Sequence, residues 1–409
     1  MKINILISIL LITSFLSFTC VYGFAQSENK FLLGNEVLLK NSSHFINGKK
    51  LGLIVNNGSV LSDGMHLIDK LSAQFNVVKI FTPEHGLRGN DLNEDYYDDK
   101  SGINVISLYG SKKKPSREDL LDTDILIYDI QDVGARFYTY INTLFYCMES
   151  CFENDKQILV CDRPMIANAD YTDGFLLDKS QSSFVGLLDI PIAYGMTCGE
   201  LAGFINDEYF DGKCMLNVVK MENYSRDTDY ESLKLPWIKP SPNLYYPSSA
   251  TTYAGTCLFE GTNFSEGRGS DKPFEYVGAP YCDGNLLAKQ MNSLNLAGVT
   301  FESITFIPSE ISSPSNPPKY VNETCGGVYV KVTDKKIFEP VKTGISLLYV
   351  LNKYFPDFEI KKNKFLDKLA GTESLRLMLN DYTPLNDIFA SYKDDLNKFN
   401  SKREKYLLY

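Results

Sequence analysis

Residues 77–89 read VVKIFTPEHGLRG, a short apolar run that passes directly into a polar turn. The first five residues are rich in β-branched and aromatic side chains and favour a buried strand. The proline and glycine that follow favour a turn, which leaves Glu84, His85 and Arg88 just beyond the strand. Polar side chains in this position are typical of open parallel sheets, because such sheets bind ligands at the carboxyl ends of their strands.

The same alternation of strand and helix extends on both sides of this stretch. Further buried-strand runs and helix-like apolar spacings stand at residues 51–55, 67–75, 105–108, 125–128, 141–152 and 158–160. Strands that alternate with helices predict an α/β fold with a Rossmann-like, doubly wound parallel sheet. The glycine-rich dinucleotide fingerprint and the Walker A pattern are missing from the sequence, so we expect no nucleotide cofactor.

The second half of the chain predicts a second, smaller α/β domain. Residues 328–332 alternate like a strand, and the apolar residues of 345–351 fit one face of a helix. A proline-rich stretch at residues 236–247 predicts a long loop. We therefore divide the chain into a Rossmann-like domain at residues 26–213 and a smaller domain at residues 214–409 that closes a cleft against it.

Residues 1–25 have the features of a signal peptide. Lys2 precedes an apolar run at residues 3–18, and residues 23–25 form a small-x-small cleavage pattern. Lipid anchoring at Cys20 is the alternative, and it is disfavoured because the three residues before that cysteine make a poor lipobox. We expect secretion to the periplasm or the exterior. No later stretch of the sequence is long and apolar enough to span a bilayer.

Charge and metal-ligand spacing exclude several classes of function. The formal net charge of −10 disfavours nucleic acid and anionic lipid surfaces as partners. The three histidines form no H-E-x-x-H motif, and the cysteines show no C-x-x-C spacing, so we expect no metal. Cys147 and Cys151 lie one helical turn apart on an apolar face, which favours buried thiols, although a disulfide remains an alternative.

Polar clusters follow three of the predicted strands. They begin at Glu84, at Asp129 and at Asp162, and a fourth cluster occupies the glycine-rich loop at residues 261–270. Structural salt bridges among these residues are the alternative to a functional site. No G-x-S-x-G nucleophile elbow is present, so paired carboxylates are the remaining catalytic groups. Cleavage of a glycosidic bond uses such a pair, one to protonate the leaving oxygen and one to act at the anomeric carbon.

These clusters resemble the exo-β-N-acetylmuramidases of glycoside hydrolase family 171. The resemblance extends in order over roughly residues 35–409 and rests on the motifs FTPEHGLRG at 81–89, DIQDVGARFYTY at 129–140, DRP at 162–164, GMTCGEL at 195–201, PSPN at 240–243, residues 255–280 and YLLY at 406–409. Two departures concern substrate fit. Residues 165–170 replace an Asn-Pro and glycine pair of the family, and Tyr194 stands where the family often has histidine.

The resemblance implies a Rossmann-like domain, a smaller C-terminal domain and an active cleft between them. It implies release of N-acetylmuramic acid from the non-reducing end of peptidoglycan fragments, with a peptidoglycan-derived saccharide as the partner molecule. Glu84 matches the catalytic glutamate of the family, and we predict that it is the general acid. For the second carboxylate, Glu266 is favoured over Asp129 and Asp132 because it lies on a glycine-flanked loop.

An arginine is predicted to read the lactyl carboxylate that distinguishes N-acetylmuramic acid from N-acetylglucosamine, because a planar guanidinium binds a carboxylate through two hydrogen bonds. Arg268 is favoured, because its flanking glycines allow close approach to a ligand, whereas Arg136 and Arg163 each have an aspartate nearby in sequence. The other residues predicted to bind substrate are His85, Arg88, Asp132, Tyr138, Asp162, Asn243 and Asn263.

Two other functions remain open at this stage. A non-catalytic cell-wall-binding protein on a degenerate hydrolase fold is one of them, although the carboxylates that such a protein would have lost are still present. A hydrolase of another acidic sugar is the second. The distance between the catalytic carboxylates decides between retention and inversion, and the sequence does not supply it.

Overall fold

The computed structural model describes residues 30–88, 94–310 and 317–409, so the predicted signal peptide at residues 1–25 lies outside the described residues. Its strands are β1 Lys50–Val55, β2 Asn76–Thr82, β3 Tyr96–Asp98, β4 Ile103–Ser107, β5 Ile125–Asp129, β6 Gln157–Cys161, β7 Met215–Val219, β8 Tyr276–Ala279, β9 Val299–Phe306 and β10 Cys325–Val332. Its α-helices are α1 Gly34–Asn41, α2 Leu67–Ser72, α3 Tyr140–Glu153, α4 Cys198–Phe210, α5 Pro247–Thr256, α6 Gly284–Asn292, α7 Pro340–Tyr354, α8 Phe365–Ala370, α9 Ser374–Asn380, α10 Leu385–Ser391 and α11 Lys393–Arg403.

The predicted doubly wound sheet is confirmed. In the described chain it has seven strands in the order β3-β4-β2-β1-β5-β6-β7, and every pairing is parallel except that of β3 with β4. The parallel strands run outward from β1 on one side and then outward from β5 on the other, which is the strand order of a Rossmann fold. The carboxyl ends of β2 and β5 therefore lie at the same edge of the sheet, on either side of β1.

Both faces of the sheet are covered, which explains why its strands are almost continuously apolar. On β5, Ile125 and Ile127 pack on one side with helices α1 and α2, whereas Leu126 and Tyr128 pack on the other side with α3 and α4. The alternation follows from the two-residue period of a strand. The apolar core on the side of α3 and α4 also continues into the C-terminal half, so the two halves share buried apolar surface.

The C-terminal half forms a smaller α/β unit around a three-stranded antiparallel sheet in the order β8-β10-β9. Helices α5 and α6 contact that sheet, and α7 packs against both of them. The proposed division between residues 213 and 214 lies just before β7, yet β7 pairs with β6 and completes the large sheet. A short strand with a half-buried pattern gives a weak sequence signal, and its pairing partner lies more than 50 residues earlier in the chain.

No helix within the described ranges is long and apolar enough to cross a membrane. The eight cysteines at positions 147 to 325 are all buried free thiols. Cys147 and Cys151 both lie on α3, on the side that packs against the sheet, where apolar neighbours surround them.

Candidate active site

A cavity of about 350 Å³ opens where the carboxyl edge of the large sheet meets the C-terminal half. It brings together four residues that the sequence predicted for the site, namely Glu84, His85, Tyr138 and Arg268. Two larger grooves, of about 600 and 660 Å³, lie elsewhere on the described chain. Neither is lined by any residue that the sequence predicted for the site, so we take the smaller cavity as the candidate active site.

Glu84 is held in this cavity by a tight turn after β2. The Gly86 amide donates to the Pro83 carbonyl at 3.1 Å, and His85 adopts a positive φ of 68°. Such a backbone is strained for a non-glycine residue, and strain of this kind concentrates at functional sites. The Thr139 hydroxyl, at the start of α3, donates to Glu84 Oε2 at 2.8 Å. The turn after β2 and the loop after β5 therefore fix the half-buried carboxyl jointly.

Aromatic rings form much of the cavity wall. Tyr253 makes edge contacts with Phe137, Tyr138 and Phe274, at centroid distances of 5.5, 5.6 and 4.7 Å. Phe184 lies on the wall as well. Burial raises the pKa of Tyr138 well above its usual value, so its phenol stays neutral. Ring faces and neutral hydroxyls suit a sugar, which offers C–H surfaces and hydroxyl groups.

Four charged side chains alternate in sign at one side of the cavity, of which Glu260, Arg268 and Glu266 are buried and Lys319 is partly buried. Arg268 Nη2 bonds to Glu260 Oε1, and Arg268 Nε lies 3.1 Å from Glu266 Oε1. Glu266 Oε2 in turn accepts from Lys319 Nζ at 2.6 Å. The Arg268 guanidinium carbon lies 5.0 Å from the centroid of Phe274. Glu260 and Arg268 line the cavity, whereas Glu266 and Lys319 lie behind them.

Glu266 is thus structurally engaged rather than exposed to the cavity. Burial alone would raise its pKa, but Lys319 and Arg268 together hold the pKa of Glu266 below its usual value. It is a fully paired anion. The glycine loop was expected to carry both Glu266 and Arg268 into the cleft, and of these two side chains only Arg268 lines the cavity.

Asp129, the second candidate for the other catalytic carboxylate, lies outside the cavity. Its oxygens accept from Arg163 Nε at 2.6 Å and from Arg163 Nη2 at 2.9 Å, in a two-point ion pair. Asn35 adds a third hydrogen bond at 3.0 Å. Asp129 is completely buried and Arg163 nearly so. The pair joins the ends of the adjacent strands β5 and β6, which is the structural salt bridge that the sequence left open.

Asp132 and Asp162 are also buried away from the cavity. Asp132 accepts from the Tyr194 hydroxyl and from the Gly134 amide, and Asp162 accepts from the hydroxyls of Thr197 and Tyr409. Burial raises the pKa of each carboxyl to about 6, against these hydrogen bonds. Through Tyr409, Asp162 anchors the end of the chain to the large sheet.

Arg88 and Arg136 are likewise engaged elsewhere. Arg88 pairs with Asp69 at 2.8 Å and with Asp98 at 3.1 Å. Arg136 is fully buried and donates to the carbonyls of three separate segments, at Phe175, Ile190 and Leu369. Arg136 therefore ties loops of the first half to α8, and it does not line the cavity.

Neither of the two predicted asparagines lines the cavity. The side chain of Asn263 donates to the Asp357 carbonyl at 2.7 Å and accepts from the Glu359 amide at 2.8 Å, so it joins the glycine loop to a neighbouring loop. Asn243 is buried, and its Oδ1 has no hydrogen-bond partner among the described residues.

Sequence reasoning missed Glu260, whose position directly before the glycine loop at residues 261–270 was the available signal. It also missed the contact of Thr139 with Glu84, because a threonine at the start of a helix is expected to cap the helix. Within the described ranges, no group of three or more His, Cys, Asp or Glu side chains is placed to hold a metal ion.

Comparison with known proteins gives matches over almost the whole chain. A family model described as exo-β-N-acetylmuramidase NamZ, N-terminal, matches residues 51–248, and its C-terminal counterpart matches residues 251–409. Over 387 residues the chain is 41% identical to the peptidoglycan β-N-acetylmuramidase NamZ of Bacillus subtilis (strain 168), covering 93% of this chain and 92% of that protein.

Solved structures agree with this match. One crystal structure of a DUF1343 family protein from Bacteroides fragilis NCTC 9343 aligns with a TM-score of 0.86 at 32% identity, and another aligns with a TM-score of 0.75 at 35% identity. Each alignment covers 93% of this chain and 99% of the other. With both halves matched by family models, the chain belongs to the NamZ family of exo-β-N-acetylmuramidases, which are glycoside hydrolases.

Proposed function

We propose that this protein releases N-acetylmuramic acid from the non-reducing end of peptidoglycan fragments, with Glu84 as the general acid. The observation that carries the proposal is the position of Glu84, a carboxyl group fixed by Thr139 in an aromatic-walled cavity. The volume of about 350 Å³ is at the small end of ligand sites and suits one terminal sugar, as exo-action requires.

In this mechanism Glu84 gives its proton to the glycosidic oxygen while the bond from that oxygen to the anomeric carbon breaks. Proton transfer in the transition state is typically worth about 100- to 10,000-fold in rate. Glu84→Gln keeps the size of the side chain and an acceptor for the Thr139 hydroxyl. We therefore expect a folded variant with turnover at least about 100-fold lower.

The direct test uses a chromogenic β-N-acetylmuramide beside the matching glucosaminide. Hydrolysis of the muramide by the wild-type protein and by an exposed-site control, Glu310→Gln, but not by Glu84→Gln, is the expected result. Normal turnover in a folded Glu84→Gln protein would remove Glu84 from its role. Preference for the glucosaminide would contradict muramidase activity. Binding to cell walls without any released sugar would point to the non-catalytic alternative, and hydrolysis of a different acidic glycoside in preference to the muramide would point to the other alternative.

Arg268 is the residue that we propose to read the lactyl carboxylate, since it is the predicted arginine that reaches the cavity. Its contacts with Glu260 and Glu266 hold the guanidinium in one orientation and offset part of its charge. Recognition would then depend on the planar geometry of the guanidinium, which lysine does not reproduce.

We also propose that the protein is exported. The support is the signal-like sequence at residues 1–25 together with a substrate that lies outside the cytoplasm. Amino-terminal sequencing of the protein recovered from cell fractions tests this directly. A mature terminus near residue 26 is expected, whereas a lipid-modified Cys20 at the new terminus would identify the lipoprotein alternative.

A further inference from the structure

We propose that Glu260 is the second catalytic carboxylate and that it takes the proton of the water that attacks the anomeric carbon. The inference rests on the proposed function and completes its site. Glu260 comes from the C-terminal half and Glu84 from the large-sheet domain, yet both side chains line the same cavity. Glu266, Asp129 and Asp132 do not line it, because paired or buried contacts hold each of them elsewhere.

The local fold fixes Glu260 at the cavity wall. It belongs to a 3₁₀ helix, Cys257–Gly261, that follows directly on α5. The backbone of this helix lies so close to α8 that a Cβ atom at Gly261 would stand 2.6 Å from the Leu366 nitrogen. Only glycine permits this approach. The glutamate is therefore placed by packed backbone and not by a mobile loop, as a catalytic group requires.

The surroundings of the two glutamates suit opposite roles. Glu260 Oε1 accepts from the Arg268 guanidinium and from the Cys257 thiol, the latter at 3.5 Å. Contact with a guanidinium stabilises a charged carboxylate. Glu84, in contrast, accepts from the neutral hydroxyl of Thr139. When two carboxyl groups of one site have such different environments, one can act as acid while the other acts as base.

The chemistry balances with these two groups and water. Glu84 transfers a proton to the glycosidic oxygen, and the bond between that oxygen and C1 breaks with its electron pair going to the oxygen. The water oxygen forms the new bond to C1, and its proton passes to Glu260. The positive charge that develops at C1 in the transition state faces an anionic carboxylate. Solvent then returns both glutamates to their starting states.

Azide separates this role from a purely structural one. Azide is already an anion, so it attacks C1 without a base. We expect Glu260→Ala to lose at least about 100-fold in turnover of the chromogenic muramide, and azide to restore part of it with formation of a glycosyl azide. The acidic limb of the pH profile of kcat/KM should also disappear in this variant, because the limb reports ionisation of the base. Glu260→Gln should show the same loss.

Glu266→Ala is the matched control, because it removes the other carboxylate partner of Arg268 from behind the cavity wall. It should lower thermal stability, and azide should not restore any activity that it loses. Ordinary turnover in folded Glu260→Ala, or a loss that azide leaves unchanged in both Glu260 variants, would overturn the inference. If either of these results is found while the wild-type protein hydrolyses the muramide, the proposed function is kept and only the role of Glu260 is rejected. An inactive wild-type protein would instead remove the proposed function.

Discussion

Replacement of Asp129 by asparagine should destabilise the protein strongly, because it leaves a buried guanidinium without its counter-ion. Arg163 has a 5% exposed side chain, and its Nε and Nη2 atoms both donate to Asp129. The amide keeps one acceptor oxygen, so one of these hydrogen bonds survives. The negative charge is lost, and the amide nitrogen faces either the guanidinium or the Asn35 donor.

The magnitude follows from the burial of the pair. Removal of one partner from a buried ion pair costs about 3–5 kcal/mol. Unfolding entropy near 60 °C is about 2.1 cal/mol/K per residue, or about 0.8 kcal/mol/K for a folded chain of about 380 residues. The expected decrease in Tm is therefore about 4–6 °C, provided that the two halves unfold together.

Calorimetry and urea unfolding of Asp129→Asn measure this change, with the exposed-site variant Asp122→Asn as the control. Activity at 25 °C should fall only as far as the folded fraction falls. A variant with wild-type Tm and unfolding free energy but turnover reduced by 100-fold would refute the structural assignment. Asp129 would then be a catalytic group, as the sequence allowed.

Three further outcomes are expected. Arg136→Lys should lose at least two of the three carbonyl contacts and about 2–4 kcal/mol of unfolding free energy, whereas the exposed Arg117→Lys should lose little. Equal stability of the two variants would contradict the role of Arg136 in tying these loops to α8. Arg268→Lys should lower kcat/KM for the muramide by about 30- to 1000-fold and affect the glucosaminide less, and an equal loss on both sugars would place lactyl recognition elsewhere. Burial raises the pKa of Asp132 and of Asp162 to about 6 in the folded protein, above the usual value of 3.8, so their protonated forms favour folding. The stability that these groups contribute is complete below about pH 4 and is lost as the pH rises through 6. Urea unfolding should therefore show a higher free energy of unfolding at pH 5 than at pH 7.5, and the difference should be smaller in Asp132→Asn. An unchanged pH dependence in that variant would argue against a buried titrating carboxyl at Asp132.

Local pattern was sufficient for most of the regular structure. Predicted strand runs at 125–128 and 158–160 correspond to β5 and β6, and the helix predicted at 141–152 corresponds to α3. The backbone period of a strand or helix decides which side chains face the core. The pattern of apolar residues among near neighbours in sequence therefore predicts the element. The three-residue strand β3, an antiparallel addition at the sheet edge, was too short to give such a pattern.

The sequence also predicted that Glu84 lies at the carboxyl edge of the sheet, and Glu84 lines the cavity there, because parallel strands bring the polar residues after β2 and β5 to one edge. It did not determine which charged groups pair with one another. Arg163 and Asp129 are 34 residues apart, and Lys319 and Glu266 are 53 apart. Pairing over such distances depends on how strands are ordered and how the two halves meet. For that reason only the tertiary structure showed that Glu266 is a paired anion behind the wall and that Glu260 lines the cavity with Glu84.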